Sequence, residues 1–569
     1  MDSERKPTDH GVQAQEEGGT SLSGPWVTPP GMAGDANLIR IGVGTVGDEE
    51  YTCPAFAAAK ARPAVAPAHR PRWPKGVLEQ FALAPVKEAL DDVEFGNLTI
   101  EAALEKLRRR KKALHPGHLT YADAAVRAYL MGTATAGAPV LVPVSDTWVA
   151  QKSNDKQWEH YAWGRQYQSP DGQIREQRLL RQGRVGDRER DRAQIAIAAY
   201  AAAFGGPAPW PEPERWKQPF APREATAVSL ARITEIGLLD GSQAVLFEGT
   251  PTQAQAYYAE HGRARVTQIA AGGPAKPGSS CAGCKMVTVC KTLIKAPGLL
   301  GLTANNAPLR QVSVSDLRYY RRCPAQTHLR SLHLPKNGEY GPTAIRGKAI
   351  HAHLGINHAN PLRVPCNAYD VAVDPDGWSA GGFTLTGEQS AVGARMLAHH
   401  VDVCPLDSAE PISEVLVEPT LALYDTAANA VVLASPDLLY REGASWIWHE
   451  TKTTEKDAWY HDDMLDEFPQ LALGMLILAR GLLGGDPAGS RVELETLREK
   501  IADPDLDDPT NPARVAKAQE VIRTMAQPWR EDQLFPASPG PVCRTCPVSR
   551  WCPSYVEDTM DNSEAGPRG

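Results

Sequence analysis

Hydrophobic and polar residues follow two different periods in the C-terminal half of the chain. Stretches that alternate apolar and polar residues, or are rich in β-branched and aromatic residues, are typical of strands and cover 413–425, 430–440 and 445–454. Longer, apolar-faced stretches are typical of helices and cover 341–359, 387–401 and 467–483. A short Arg-Glu-Gly-Ala turn joins the last two strands into a hairpin. The order helix, sheet, helix predicts an α/β unit.

Two boundary features complete this pattern. The sequence 313–324 predicts a helix that opens the unit, and Ser315 is a suitable N-cap for it because a serine hydroxyl can accept a free backbone N–H. The acidic, proline-containing stretch 503–513 predicts a loop late in the unit.

Cysteine spacing indicates that the chain contains the same long unit twice. Six of the ten cysteines form two C-x2-C-x5-C clusters, which are Cys281, Cys284, Cys290 and Cys543, Cys546, Cys552. Each cluster is preceded by one distant cysteine followed by Pro-Ala: Cys53 lies 228 residues before Cys281, and Cys323 lies 220 residues before Cys543. Repetition at this scale indicates two tandem units.

Four thiolates in each unit suit either a tetrahedral zinc ion or a four-cysteine iron–sulfur cluster. Zinc sites more often pair two C-x2-C knuckles, whereas three close cysteines plus a remote one are common for clusters. Either group would tie the start of a unit to its end. Cys366 and Cys404 are left over, and we expect them to be small buried residues.

Composition and charge exclude few functions. The net charge of −8 does not suggest a duplex-binding face. The stretches 106–114 and 174–192 are locally basic, but each taken alone is better explained as a solvated helix face. The most apolar run, 471–485, is interrupted by Arg480 and is too short to span a membrane. The N-terminus lacks an apolar signal segment. We therefore expect a cytoplasmic protein without a membrane partner.

The end of the predicted hairpin carries candidate chemistry. Residues two apart in a strand point to the same face, so Glu450 and Lys452 lie side by side while Thr451 faces away. Asp437, in the partner strand, can bring its carboxylate towards that of Glu450. Two carboxylates suit a hard divalent cation, and a lysine beside them can act on water or phosphate. Without Asp437, an exposed cross-strand ion pair would explain the charges.

These residues resemble the D…E-x-K core of the PD-(D/E)xK nuclease superfamily. Pro436-Asp437 matches its opening dipeptide, and Glu450-Thr451-Lys452 matches the second part. RGKAIHAHL resembles the R-G-x-x-x-H helix of RecB-like nucleases, which adds His351 as a metal ligand. SVSDLRYYRRCP resembles the opening of the cluster-bearing branch, which contains AddB-type nucleases and CRISPR-adaptation exonucleases.

The resemblance implies a restriction-endonuclease-like mixed sheet flanked by helices, and it implies a role for each residue. His351, Asp437 and Glu450 would hold Mg²⁺ or Mn²⁺, Lys452 would activate water, and Gln470 would position substrate. The family often continues from this glutamine to a tyrosine four residues on, but Gly474 stands there. The cluster would be a [4Fe-4S] centre, whose ligands are Cys323, Cys543, Cys546 and Cys552.

The first unit resembles a degenerate copy. Its cysteines suit a second cluster, with zinc as the alternative, and they are Cys53, Cys281, Cys284 and Cys290. Where the acidic pair should lie, the chain reads SPDGQIREQRLLRQGR, so no magnesium site can be drawn. The arginines of this stretch would contact phosphates or solvate the surface.

We therefore expect two tandem units, 37–295 and 311–556, joined by a linker, 296–310, and flanked by disordered tails, 1–36 and 557–569. The predicted function is a metal-dependent deoxyribonuclease, an exonuclease in DNA repair, recombination or anti-phage defence. Its partners would be single-stranded DNA or duplex ends and a separate helicase or CRISPR protein. The alternative is a catalytically weak nucleic-acid-binding or assembly subunit of such a complex. The sequence leaves the oligomeric state open.

Overall fold

A computed structural model describes residues 26–47, 53–69, 71–110, 113–133, 141–303, 307–338, 340–456 and 463–557. The helices in these ranges are α1 (Pro54–Lys60), α2 (Ala84–Glu94), α3 (Ile100–Arg108), α4 (Pro116–Thr133), α5 (Arg192–Phe204), α6 (Pro251–His261), α7 (Arg263–Ala271), α8 (Val314–Arg322), α9 (Pro324–Ser331), α10 (Pro342–His358), α11 (Gly387–His400), α12 (Met464–Glu467), α13 (Pro469–Ala479) and α14 (Pro512–Glu531).

The strands are β1 (Met32–Ala33), β2 (Leu38–Gly42), β3 (Ala66–Pro67), β4 (Val142–Val144), β5 (Thr147–Ser153), β6 (Gln157–Tyr161), β7 (Arg165–Gln168), β8 (Ile174–Arg181), β9 (Gly206–Ala208), β10 (Leu230–Gly237), β11 (Gln243–Gly249), β12 (Ile294–Lys295), β13 (Arg310–Ser313), β14 (Gly377–Ala380), β15 (Phe383–Thr386), β16 (Ile412–Val417), β17 (Leu421–Asp425), β18 (Ala430–Ala434), β19 (Leu438–Glu442), β20 (Ser445–Thr453), β21 (Arg491–Leu497) and β22 (Ala502–Asp507).

The main sheet of the second unit is mixed, with strand order β16-β19-β20-β21-β22. The pair β20/β21 is parallel and the other neighbours are antiparallel. Helix α13 makes the crossover between the two parallel strands, because parallel neighbours need a long connection. One face of the sheet packs on α13 and α14 through Trp448 and Leu494, and the other packs on α10 and α11 through Tyr440 and Ile447.

The main sheet of the first unit has the same topology, with strand order β4-β7-β8-β10-β11. Again the central pair, β8/β10, is parallel, and α5 crosses between its strands. A smaller sheet accompanies each main sheet, and in both an antiparallel pair (β5/β6 or β17/β18) is joined by a parallel strand (β2 or β13). The tandem repeat indicated by the cysteines is therefore present in the strand order.

Local structure differs from the predictions in three places. Ser313, not Ser315, caps α8, because its side chain accepts the N–H of Asp316 while the Asp316 carboxylate bonds back to Ser313. The three predicted strands are five, because Pro419 and Pro436 lie at the two points where the stretches divide. The predicted loop 503–513 instead contains most of edge strand β22 and the start of α14.

The segments predicted as tails and linker carry structure where they are described. Residues 1–25 and 558–569 lie outside the described ranges, but β1, within the predicted N-terminal tail, pairs with β3. Leu299 and Leu300, in the predicted linker, are buried in the core of the second unit. Strand β12 also joins β17. The domain boundaries therefore stay predictions, since the chain between the units is packed.

Among the described helices, none combines the length and the apolar character that crossing a membrane requires.

Candidate active site

The hairpin β19/β20 brings the predicted acidic pair and lysine together. Leu438 pairs with His449 at the open end of the hairpin, so Asp437 lies directly before β19, beside the last residues of β20. Glu450 and Lys452 point to the face that packs on α13, and Thr451 points to the opposite face. This alternation follows from the two-residue period of a strand.

Four polar side chains meet at this strand end. The Lys452 ammonium lies 2.9 Å from Glu450 Oε2 and 3.2 Å from Asp437 Oδ2. The other oxygen of Asp437, Oδ1, lies 3.3 Å from His351 Nδ1. The predicted site residues are thus neighbours, although they come from helix α10, strand β20 and the residue before strand β19; they are His351, Asp437, Glu450 and Lys452.

The two carboxylates are held by neighbours that do not depend on the lysine. The backbone N–H of Thr451 donates to Asp437 Oδ2 at 2.8 Å, and the indole N–H of Trp448 donates to Glu450 Oε1 at 3.3 Å. Trp448 is 1% exposed and Glu450 is 4% exposed. The carboxylates are therefore fixed in position before any ligand binds.

Burial and charge shift the pKa values of these groups in different directions. Burial raises the pKa of the Glu450 carboxyl, although Lys452 opposes the shift. Burial would also raise the pKa of Asp437, but Lys452 and His351 hold it well below its usual range. Burial disfavours the charged form of Lys452, yet Glu450 and Asp437 raise its pKa. The site therefore already binds one cationic group between two carboxylates, which is the donor set that a divalent cation needs.

Helix α10 reaches the site because the Arg-Gly pair lets it approach the end of β20. A Cβ at Gly347 would lie 3.2 Å from Thr453 Oγ1. Arg346 is 1% exposed and its guanidinium donates to Glu455, just beyond the strand, at 2.5 Å. His351 lies one turn further along the same helix. In the R-G-x-x-x-H pattern, the arginine and the glycine therefore have a packing role, and the histidine is the predicted metal ligand.

Helix α13 does not bring its glutamine into contact with the four polar residues of the acidic site. Gln470 lies half-buried in the first turn and forms no hydrogen bond with the four polar residues in the part of the chain that the structure describes. At Gly474, an added Cβ would lie 2.6 Å from the Trp448 ring. The tyrosine expected at this position is thus excluded by Trp448, the residue that orients Glu450.

The four cysteines of the second unit converge. Cys323 is the residue between α8 and α9, and Cys543 lies in a short 3₁₀ turn, Pro541–Thr545. Together with Cys546 and Cys552 they line one cavity. The N–H of Ser538 donates to Cys323 Sγ at 3.4 Å.

The four cysteines of the first unit have the same local structure. Cys53 precedes α1 as Cys323 precedes α9, and Cys281 lies in the 3₁₀ turn Ser279–Gly283. The N–H of Lys276 donates to Cys53 Sγ at 3.2 Å. Burial raises the pKa of Cys284 to about 11, and Cys281, Cys53 and Cys290 are close enough to add to this shift.

The strand registers show what the first unit has at the position of the acidic site. Arg165 pairs with Arg178 where Leu438 pairs with His449, so Gly164 matches Asp437. By the same register Leu179 matches Glu450, and Arg181 matches Lys452. Arg181 pairs with Glu235 at 2.9 Å. A glycine, a leucine and a paired arginine cannot hold a divalent metal ion.

The arginines of β8 are engaged inside the first unit. Arg175 is 2% exposed and donates to the carbonyl oxygens of Ala202 and Gly205 at the end of α5. Arg178 lies over the ring of Tyr167 at 3.8 Å. These contacts favour a structural role over phosphate binding.

The structure also contains a potential metal-binding group that sequence reasoning missed. We call it the His₂Cys₂ group, and it comprises His358, Cys366, His400 and Cys404. One ligand atom from each residue lies within 4.8 Å of the other three, and all four residues are buried. Cys366 and Cys404 were expected to be ordinary buried residues, and the only signal against this was a histidine eight or four residues before each.

Comparison with known proteins finds a similarity in the second unit. Residues 311–553 match the family model of the PD-(D/E)XK nuclease superfamily. The mixed sheets flanked by helices agree with a restriction-endonuclease-like fold, and the predicted fold class is confirmed. No curated protein matches the sequence.

Two solved structures resemble part of the chain. The protein SSO0001 shares 12% identity, with 43% of this chain and 87% of that protein covered and a TM-score of 0.23. A candidate exonuclease from Eubacterium rectale shares 9% identity, with 42% and 86% covered and a TM-score of 0.27.

Proposed function

We propose that the chain is a divalent-metal-dependent DNA nuclease, an exonuclease whose active site lies in the second unit. The observation that carries the proposal is the meeting of Asp437, Glu450 and Lys452 at the end of the hairpin, beside His351. A surface ion pair would not require a buried glutamate, a backbone N–H and an indole N–H to fix its two carboxylates.

Each residue has a role in phosphodiester hydrolysis. Mg²⁺ or Mn²⁺ held by Asp437, Glu450 and His351 would supply positive charge for the phosphate and lower the pKa of a bound water. Lys452, within 3.2 Å of both carboxylates, is placed to hydrogen-bond the attacking water and to stabilise charge on the phosphate. Thr451 keeps Asp437 in place through its backbone N–H. We propose that Gln470 positions the substrate and contacts the site only when substrate is bound.

The surface beside His351 suits a nucleic-acid strand. A groove there is lined by residues of α10, including Lys348, and by Phe383. The Lys348 ammonium lies 4.6 Å from the ring centroid of Tyr340 and 5.5 Å from that of Phe383. Tyr340 is 52% exposed. An exposed aromatic ring next to a cation is typical of surfaces that bind single strands by stacking and charge.

We further propose a [4Fe-4S] cluster at the four cysteines of each unit. Backbone N–H groups that donate to the sulfurs favour thiolates, as a metal cluster requires. Three close cysteines joined by a remote one, at the same C-x2-C-x5-C spacing in both units, are common for clusters, whereas zinc sites more often pair two C-x2-C knuckles. The cysteine spacing therefore favours a cluster over zinc.

The first unit serves as a binding and assembly part in this proposal. It lacks the acidic site and keeps the cysteines and the topology. The resemblance of the sequence motifs to the cluster-bearing branch of RecB-like nucleases supports a role in DNA repair, recombination or anti-phage defence, with a separate helicase or CRISPR partner.

The test is cleavage of end-labelled single- and double-stranded DNA by anaerobically purified protein in Mg²⁺ or Mn²⁺. Asp437→Asn should abolish cleavage. Asp466→Asn is the matched control, because Asp466 is a 53% exposed acid that pairs with a surface lysine. Equal activity of Asp437→Asn and parent would overturn the nuclease assignment.

The cluster is tested separately by iron content. Cys543→Ala should remove about half of the iron, because only the second of two four-cysteine sites loses a ligand. If the parent contains zinc in place of iron, the four-cysteine sites bind zinc ions and not clusters. This result would leave the nuclease assignment unaffected.

A further inference from the structure

We propose that the His₂Cys₂ group is a structural zinc site, separate from both the acidic site and the cysteine clusters. Zinc in proteins is bound by thiolate and imidazole groups in a closed tetrahedron, and two of each is a common ligand set. The proposal rests on position, size, orientation and burial.

The position of the group follows from two helix ends. His358 is the last residue of α10 and His400 is the last residue of α11. The helices pack against each other through Leu354 and Met396, among other residues, so their ends meet. Cys366 and Cys404 follow in the loops after the two helices, and the N–H of Cys366 donates to Cys404 Sγ at 3.3 Å.

The size of the group matches a single ion. Zinc–sulfur distances of about 2.3 Å and zinc–nitrogen distances of about 2.0–2.1 Å require ligand atoms to lie roughly 3.3–3.8 Å apart. The Nε2 atoms of His358 and His400 are 3.2 Å apart, and Cys404 Sγ lies 3.9 Å from His358 Nε2.

The orientation of His400 is fixed by a buried carboxylate. Glu495, 1% exposed, lies 2.5 Å from His400 Nδ1. A carboxylate that accepts the Nδ1–H leaves Nε2 as the free lone pair, which is how a zinc-binding histidine is usually held. The Nε2 of His400 faces the Nε2 of His358, at 3.2 Å.

Burial makes the group a closed site. His358 and Cys404 are 4% exposed, Cys366 is 6% exposed and His400 is fully buried. A hydrogen bond between the two facing imidazole nitrogens would satisfy only those two atoms, whereas one zinc ion would bind both nitrogens and both sulfurs. A closed site of this kind is structural, not catalytic.

The zinc site would support the face of β20 opposite to Glu450 and Lys452. Glu495 Oε2 binds the side chains of His449 and Thr451, at 3.2 and 3.1 Å. The backbone N–H of Thr451 in turn holds Asp437. Only this consequence rests on the proposed nuclease function, since zinc binding itself does not.

The experiment is metal analysis and zinc K-edge absorption spectroscopy on the full chain, purified anaerobically without added zinc. We expect about one zinc per chain, with two sulfur ligands at about 2.3 Å and two nitrogen ligands at about 2.0–2.1 Å. His358→Gln and His400→Gln should lose the zinc. The matched controls are His353→Gln on α10 and His399→Gln on α11, and they should keep it.

A further variant, Glu495→Gln, tests the zinc site even if the variants that remove a zinc ligand fail to fold. Glu495→Gln leaves all four ligands in place and should weaken zinc binding by about 10- to 100-fold in competition with a chelator. Three results would overturn the proposal: no zinc in the parent, zinc bound by sulfur alone, or a disulfide between Cys366 and Cys404. None of these results depends on DNA cleavage, so failure of the zinc site and failure of the nuclease assignment can be told apart.

Discussion

Gly474→Val tests how α13 holds the acidic site. A Cβ at residue 474 would lie 2.6, 2.7 and 2.8 Å from three atoms of the Trp448 ring. The ring is 1% exposed and cannot move outward, and its N–H holds Glu450. Overpacking of a core costs about 1–3 kcal/mol, and valine adds two more carbons than alanine while gaining only a few tenths of a kcal/mol in helix propensity over glycine.

We therefore expect Gly474→Val to destabilise the second unit by about 2–3 kcal/mol, which lowers its melting temperature by about 4–12 °C for a unit of this size. DNA cleavage should fall as well, because Glu450 loses its indole partner. The assay is thermal unfolding followed by circular dichroism. The matched control is Gly377→Val, since Gly377 is exposed and the atoms nearest to its added Cβ are 3.6 and 4.0 Å away.

Adding Trp448→Phe to Gly474→Val should restore part of the lost stability, with a coupling of about 0.5–3 kcal/mol, because a smaller ring leaves room for the side chain. A melting temperature of Gly474→Val equal to the parent's would refute the close packing. It would also remove the explanation for the missing tyrosine.

Two further predictions concern buried polar groups. Burial favours the neutral ring of His449, but Glu493 and Glu495 raise its pKa from 6.5 to about 10. The contribution of the charged ring to the free energy of unfolding is therefore fully present below pH 6.5 and is lost as the pH rises through 10. Between pH 7 and 10.5, chemical denaturation should show a larger loss of stability in the parent than in His449→Gln. Asp425, fully buried, accepts the backbone N–H groups of Gly298 and Leu300 at 2.8 Å each. Asp425→Ala should cost about 3 kcal/mol in denaturant unfolding, because it leaves buried donors unpaired; Asp425→Asn should cost less, and equal losses would contradict this reasoning.

Much of the acidic site could be predicted because it depends on local geometry. The period of a strand places Glu450 and Lys452 on one face, and a hairpin brings its two ends together, so Asp437 had to lie nearby. The contribution of His351 came from resemblance alone, since nothing in its own helix distinguishes it from His353 or His358. The structure brings these residues together, and their roles in catalysis stay predictions.

The parts that could not be predicted depend on long-range packing. The His₂Cys₂ group joins two histidine–cysteine pairs about 40 residues apart, and their spacing matches no metal-binding pattern in the sequence. Gly474 could not be explained from its neighbours, because Trp448, which excludes a side chain there, lies on another element. The buried leucines 299 and 300 looked like a linker because glycine and proline surround them.

The most direct test of the central claim compares Mn²⁺ binding with DNA cleavage in the parent and in Lys452→Ala. Lys452 now lies between the two carboxylates without being a ligand, so its removal should leave Mn²⁺ binding intact or tighter. Cleavage should fall by about 10²- to 10⁴-fold, the usual contribution of a group that moves a proton in the reaction. Lys517→Ala, which removes the lysine of the surface pair with Asp466, should change neither quantity. Cleavage by Lys452→Ala at the parent's rate, or loss of Mn²⁺ binding together with cleavage, would contradict the account.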